Sequence, residues 1–126
     1  MIILNSVNRK LEIDLAGSVS SVEGRVTVFF KDIRAEDAKE GYGTQITLTT
    51  GATEVTICDA PRSGVTRIIT GIHIFNADSA SITLTIQIDD GGTNYTIFQA
   101  TLATLESATY ESGTGWQVYT VAGAIK

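Results

Sequence analysis

The sequence predicts an all-β protein, an antiparallel β-sandwich of jelly-roll-like type with about nine or ten short strands. Three observations predict it. Residues Ile82 to Ile88 alternate apolar and polar at every step, so Ile82, Leu84, Ile86 and Ile88 share one face and Thr83, Thr85 and Gln87 the other. Clusters of Gly, Asn, Asp and Ser punctuate the chain roughly every 8–12 residues, the turn spacing of sandwiches and barrels. No stretch carries a convincing helical period, and β-branched residues fill the alternating segments, where they suit a pleated, half-buried surface.

Each element follows from the same reasoning. Residues 1 to 16 read as a strand pair, Ile2–Leu4 and Lys10–Leu15, around the polar Asn5–Arg9, and such a pair could act as an arm exchanged with a neighbour. Ala16 to Gly24 is a small, polar connector. Arg25 to Ile33 is a strand with Val26, Val28 and Phe30 inward and Thr27 and Phe29 outward, and an outward Phe implies that a second sheet or a partner covers that face. Arg34 to Gly43 is the most charged stretch and reads as a surface loop, with helix formers but no apolar positions. Strands at Thr44–Thr50 and Glu54–Asp59 flank a turn at Gly51, and a loop holding the only proline, Pro61, follows. Ile68–Phe75, Ile82–Ile88 and Tyr95–Phe98 then form a predicted β-meander, its second turn marked by Asp89-Asp90-Gly91-Gly92. Glu106–Glu111 and Trp116–Val121 complete the strands, and Gly123–Lys126 is expected to fray.

Composition narrows the function. At 126 residues the chain is expected to be one domain, 1–126, able to bury a core without staples. One cysteine, Cys58, allows no disulfide within the chain and is expected to pack as a small apolar residue in a reducing compartment. Nine basic residues are scattered among fourteen acidic ones for a net charge of −5, which disfavours nucleic acid as a partner. No apolar run is long enough for a membrane span, and the N-terminus lacks the basic region of a signal peptide. The expected chain therefore starts at or near Met1 and is made in a cytoplasm.

Chemistry is sparse. The single histidine, His73, lies within an apolar strand on the face opposite Ile72 and Ile74, with no nucleophile motif nearby. No metal-ligand spacing occurs, and Asp89-Asp90-Gly91-Gly92 lacks the twelve-residue frame of a calcium loop. Neither Gly41-Tyr42-Gly43 nor Gly113-Thr114-Gly115 sits between a strand and a helix, as a phosphate loop requires. The only tryptophan, Trp116, reads as core rather than as a sugar platform. The expectation is no enzyme, no cofactor and no metal.

With these residues in view, the chain resembles a family of small structural proteins of tailed bacteriophages, often head decoration (cement) proteins. The resemblance runs through Leu4-Asn5-Ser6, Lys10-Leu11-Glu12-Ile13 and Leu15-Ala16-Gly17-Ser18. It continues through Phe75–Ala80, Ile82-Thr83-Leu84 and Asp90–Tyr95, then Leu102, Glu106, Tyr110, Gly113–Val118, and Gly123 with Lys126. It covers most of the chain and is weakest across residues 31 to 50. It implies a multicopy protein bound to the major capsid protein on the outside of an assembled capsid. The virion is then its location, the host bacterial cytoplasm its place of synthesis, and a homotrimer its oligomer, with a dimer at a two-fold position the alternative. A neck, tail or fibre-base protein and a carbohydrate-binding β-sandwich are the alternative functions. The expected protein contacts are Ile2, Ile3, Leu4, Arg9 and Lys10 at the chain end, outward Phe29, and Arg34, Glu36, Asp37, Lys39, Glu40 and Tyr42 in the charged loop.

Overall fold

Alternating β-branched segments separated by Gly- and Asx-rich turns give ten strands and no helix over residues 1–126, all of which the computed structural model describes. They are β1 (Ile2–Leu4), β2 (Arg9–Leu15), β3 (Arg25–Arg34), β4 (Glu40–Leu48), β5 (Val55–Cys58), β6 (Val65–Phe75), β7 (Ile82–Asp90), β8 (Thr93–Leu102), β9 (Ser107–Glu111) and β10 (Gly115–Tyr119). Two antiparallel sheets face each other as a sandwich. The larger runs β10-β9-β6-β3-β4, with β1 also on β6, and the smaller runs β5-β2-β7-β8.

The core lies between the sheets. Val26, Val28, Ile69, Ile72 and Ile74 of the larger sheet meet Leu11, Ile13, Leu84, Ile86 and Leu102 of the smaller one, all essentially inaccessible. Burying each such side chain contributes about 1.5–3 kcal/mol before conformational entropy is subtracted. The alternation in β7 places Ile82, Leu84 and Ile86 inward as expected. Phe29 faces out and Phe30 faces the core side by ordinary alternation, and opposite them β6 carries one extra residue, Thr70, as a bulge.

Four expectations need correction. The N-terminal segment is not a strand pair: β1 bonds to β6, in the opposite sheet from β2. Its apolar residues can reach the core only there, and the turn after Leu4 carries the chain across. Likewise β6 does not pair with β7, so there is no three-stranded meander. Asn76 makes that segment a corner between sheets. Its Nδ2 donates to the carbonyls of Ala80 (2.9 Å) and Leu102 (3.0 Å), and its Oδ1 accepts the Asp78 amide (2.9 Å). The β7–β8 hairpin is present, with Gly91 and Gly92 at φ 64° and 98° between Asp90 and Thr93, which is a type I′ turn.

The charged loop is shorter than its composition implies. β3 runs to Arg34 and β4 starts at Glu40, so Glu40–Gly43 is strand. An edge strand gains its ladder bonds without an apolar face, so apolar periodicity does not mark it. Finally, Gly123–Lys126 is tied down. Lys126 N–H donates to the Val118 carbonyl at 2.8 Å, and its Nζ lies 3.0 Å from Glu106 Oε2.

Candidate protein interface

The two outer faces differ in chemistry. On the smaller sheet, Lys10, Glu12 and Asp14 of β2 lie beside Asp89, Gln87 and Thr85 of β7, with Gln99 and Thr101 of β8 beyond. These side chains mostly satisfy one another. Lys10 Nζ lies 3.2 Å from Glu12 and 3.6 Å from Asp89. Gln99 donates to Thr85 (3.2 Å), and the hydroxyls of Thr83 and Thr101 are 2.9 Å apart. Carboxylates beside Lys10, chiefly Glu12, push its pKa up. Asp14 Oδ1 is the one buried side-chain oxygen without a partner. Burial, and then the Glu54 charge, push its pKa up.

The outer face of the larger sheet is built from cross-strand rows. Leu48 and Arg25 lead to Phe75; Ile46 and Thr27 lead to His73; Thr44 and Phe29 lead to Gly71; Tyr42 and Lys31 lead through Ile68 to Ile3. Tyr42 and Ile46 are 77% and 76% exposed, Leu48 56% and Phe29 45%. Four large apolar or aromatic side chains thus stand in solvent on two adjacent strands. Phe29 lies against Gly71, where an added Cβ would sit 3.6 Å from its ring. Beside it a shallow hollow is bordered by Gly71, His73, Thr109 and Glu111.

The predicted contact residues divide. Ile3, Phe29, Glu40 and Tyr42 come together on this face. Ile2 and Leu4 do not: both are buried in the chain's own core, which corrects their assignment as contacts. Lys10 is held by its own carboxylates on the opposite face. Arg9 is engaged by Asp90 (3.1 Å) and Asn5 (2.6 Å). Arg34 and Asp37 pair with each other at 2.6 Å across the β3–β4 turn, where Glu36 and Lys39 are exposed. Ile46 and Leu48 were missed as exposed residues. Alternation shows that they share a face, but not which face points inward, and here Gln45 and Thr47 occupy the sheltered side. A nine-residue strand with one charged residue at its end is the signal that could have marked them.

His73 is exposed on this same face, in register with Thr27 and Thr109. Trp116 is half-buried and stacks on Phe98 with centroids 4.0 Å apart, as part of the core margin rather than an exposed sugar platform. Cys58 is buried and free, and burial pushes its thiol up to about 11. No group of three or more His, Cys, Asp or Glu side chains is placed to hold a metal ion. Among known proteins, no family model, curated protein or solved structure matches this chain.

Proposed function

We propose that this chain is a phage virion structural protein that binds the major capsid protein on the outside of the assembled capsid and stabilises the shell. Its homo-oligomeric state, its jelly-roll-like kinship and its synthesis in a bacterial cytoplasm belong to the same reading. The observation that carries it is the contrast between the two outer faces. One is sealed by its own ion pairs and hydrogen bonds, while the other presents Phe29, Tyr42, Ile46 and Leu48 to solvent. A contiguous exposed apolar surface of this kind marks protein association. The resemblance to decoration proteins supplies the partner.

The physics is linkage. A protein that binds only the assembled shell stabilises it by RT ln(1 + [L]/Kd), about 2.7 kcal/mol per site at a hundredfold excess over Kd. Repeated over a shell, modest contacts become a strong clamp.

Co-sedimentation with assembled capsids and with free capsid subunits tests the reading. Binding to capsids alone, in many copies per particle, and a rise in the temperature at which the shell opens, are the expected results. Absence of binding to capsids removes the proposal, and a few copies at one vertex move the protein to the neck, tail or fibre base.

A further inference from the structure

Five strands of the sandwich pair on one side only, and four of them are short or protected; β1, on β6, has only three residues. β10 is covered by the returning tail, through Thr120 N–H to the Ala124 carbonyl and Lys126 N–H to the Val118 carbonyl, each 2.8 Å. β5 has only four residues. β8 carries polar side chains along its exposed face and is set off by a bulge in its pairing with β7. β4 has none of these devices. It is nine residues long, contains no proline and no lysine, and pairs with β3 without a register break. Natural proteins rarely leave such an edge uncovered.

Its free backbone groups can be identified. Thr49 N–H donates to the Gly24 carbonyl at 2.9 Å and Arg34 N–H to the Lys39 carbonyl at 3.1 Å, at the two ends of the β3–β4 run. Residues of an antiparallel pair bond to the partner at every second position. With unbroken register, Gly41, Gly43, Gln45 and Thr47 bond to β3, and Glu40, Tyr42, Thr44, Ile46 and Leu48 turn their N–H and C=O groups to the open side. The side chains of these same five residues form the exposed outer row.

We infer that the occupant of this edge is β4 of a second copy, paired antiparallel about Thr44. That register opposes Thr44 to Thr44, Tyr42 to Ile46, and Glu40 to Leu48. It lets every free N–H and C=O from Glu40 to Leu48 find a partner, because about this axis the open positions of one edge fall opposite the open positions of its copy. An aromatic opposite a β-branched side chain is a favourable cross-strand pair. The charges also match. Arg25 has no acidic partner within the chain and lies beside Leu48 on β3. The second copy's Glu40, which in its own chain has only an exposed contact with Lys31 at 3.7 Å and the Tyr42 hydroxyl at 3.2 Å, enters the same row beyond Leu48, two strands from Arg25. Joining identical edges antiparallel requires a twofold axis. The edge therefore assigns a dimer rather than a trimer, and does so independently of shell binding.

Sedimentation velocity on the purified chain, without capsid, tests this. Wild type is expected at twice the 13.4 kDa chain mass. Thr44→Pro and Ile46→Lys are each expected at the single mass and still folded, with midpoints that no longer depend on protein concentration, since the Thr44 N–H is unused within the chain and Ile46 faces solvent. Should the proline variant misfold, Ile46→Lys carries the test. Amide exchange by NMR should show Tyr42, Thr44 and Ile46 protected in wild type and fast in Ile46→Lys, with Gly43 and Gln45 protected in both. Arg25→Glu should raise the dimer dissociation constant several-fold and Glu40→Arg in the same chain should restore it. A wild-type monomer or trimer, a dimer that survives both edge variants, or a charge swap without rescue overturns the pairing.

Discussion

Asp78 shows how much one side chain can hold. Its carboxylate accepts the amides of Ser20 and Ser21 at 2.8 Å, that of Val22 at 3.2 Å and that of Ser79 at 2.9 Å, with the Ser21 hydroxyl at 2.9 Å. The connector 16–24 has little apolar content, and this set of bonds fixes it to the β6–β7 corner. The Ser20 amide and the other donors hold the Asp78 pKa well below the usual carboxylate range. A carboxylate with a depressed folded-state pKa contributes stability that is fully present above its unfolded value. That stability is lost as pH falls from there toward the folded pKa. Asp78→Asn should therefore lower the urea midpoint at neutral pH and flatten its decline below about pH 4; an unchanged acid limb would remove Asp78 from that role. Cys58 makes a different prediction. With its thiol pushed up to about 11 by burial, a thiol reagent at pH 8 should label the native protein only as fast as the chain opens, and should label it at once in denaturant.

At the scale of elements, close approach decides more than propensity does. Gly43 lies on β4 beneath Phe30, and a Cβ there would fall 2.4 Å from the Phe30 ring. That ring cannot easily move. Arg67 lies over it at 4.0 Å, and Arg67 is itself held by Asp32 through bonds of 2.8 and 2.9 Å. Hydrogen bonding of the Arg67 guanidinium to the Asp32 carboxylate is the main cause of a raised Arg67 pKa. Gly43→Ala should destabilise the protein by about 1–3 kcal/mol through overpacking, and Phe30→Leu in the same chain should recover part of that loss. Chemical denaturation of the two variants and their combination measures it as a double-mutant cycle. The same glycine lies in the stretch that sequence reasoning treated as a loop, because glycine and charge there read as punctuation. Its actual role is to let β4 lie close against an aromatic ring.

The whole molecule is asymmetric in what it offers a partner. Removing one side chain from each outer face should expose that asymmetry. Phe29→Ala, at the centre of the apolar face, should weaken capsid binding by about 2 kcal/mol, roughly thirtyfold. Gln99→Ala on the polar face should leave binding within twofold. Equal losses from both, read by co-sedimentation across a concentration series, would show that the apolar face is not the one engaged. The contact residues expected from sequence were legible in part for a simple reason. Outward Phe29 is visible as a break in the polar row of its own strand. Ile2 and Leu4, in contrast, look like a sticky terminus until the partner strand is known, and that partner is the chain's own β6.

Local pattern alone determined that this chain forms short strands joined by tight turns. A period of two, β-branched composition and a Gly-Gly turn act over a few residues and need no distant partner. The Gly91-Gly92 turn of the β7–β8 hairpin and the shared face of Leu84 and Ile86 follow from such local terms. Tertiary structure alone decided which strands share a sheet, because the corner at Asn76 and the crossing after Leu4 depend on carbonyls and core space supplied by remote segments. It also decided which face of β4 meets water. Alternation is symmetric between inside and outside, and only the second sheet, lying under Gln45 and Thr47, breaks that symmetry.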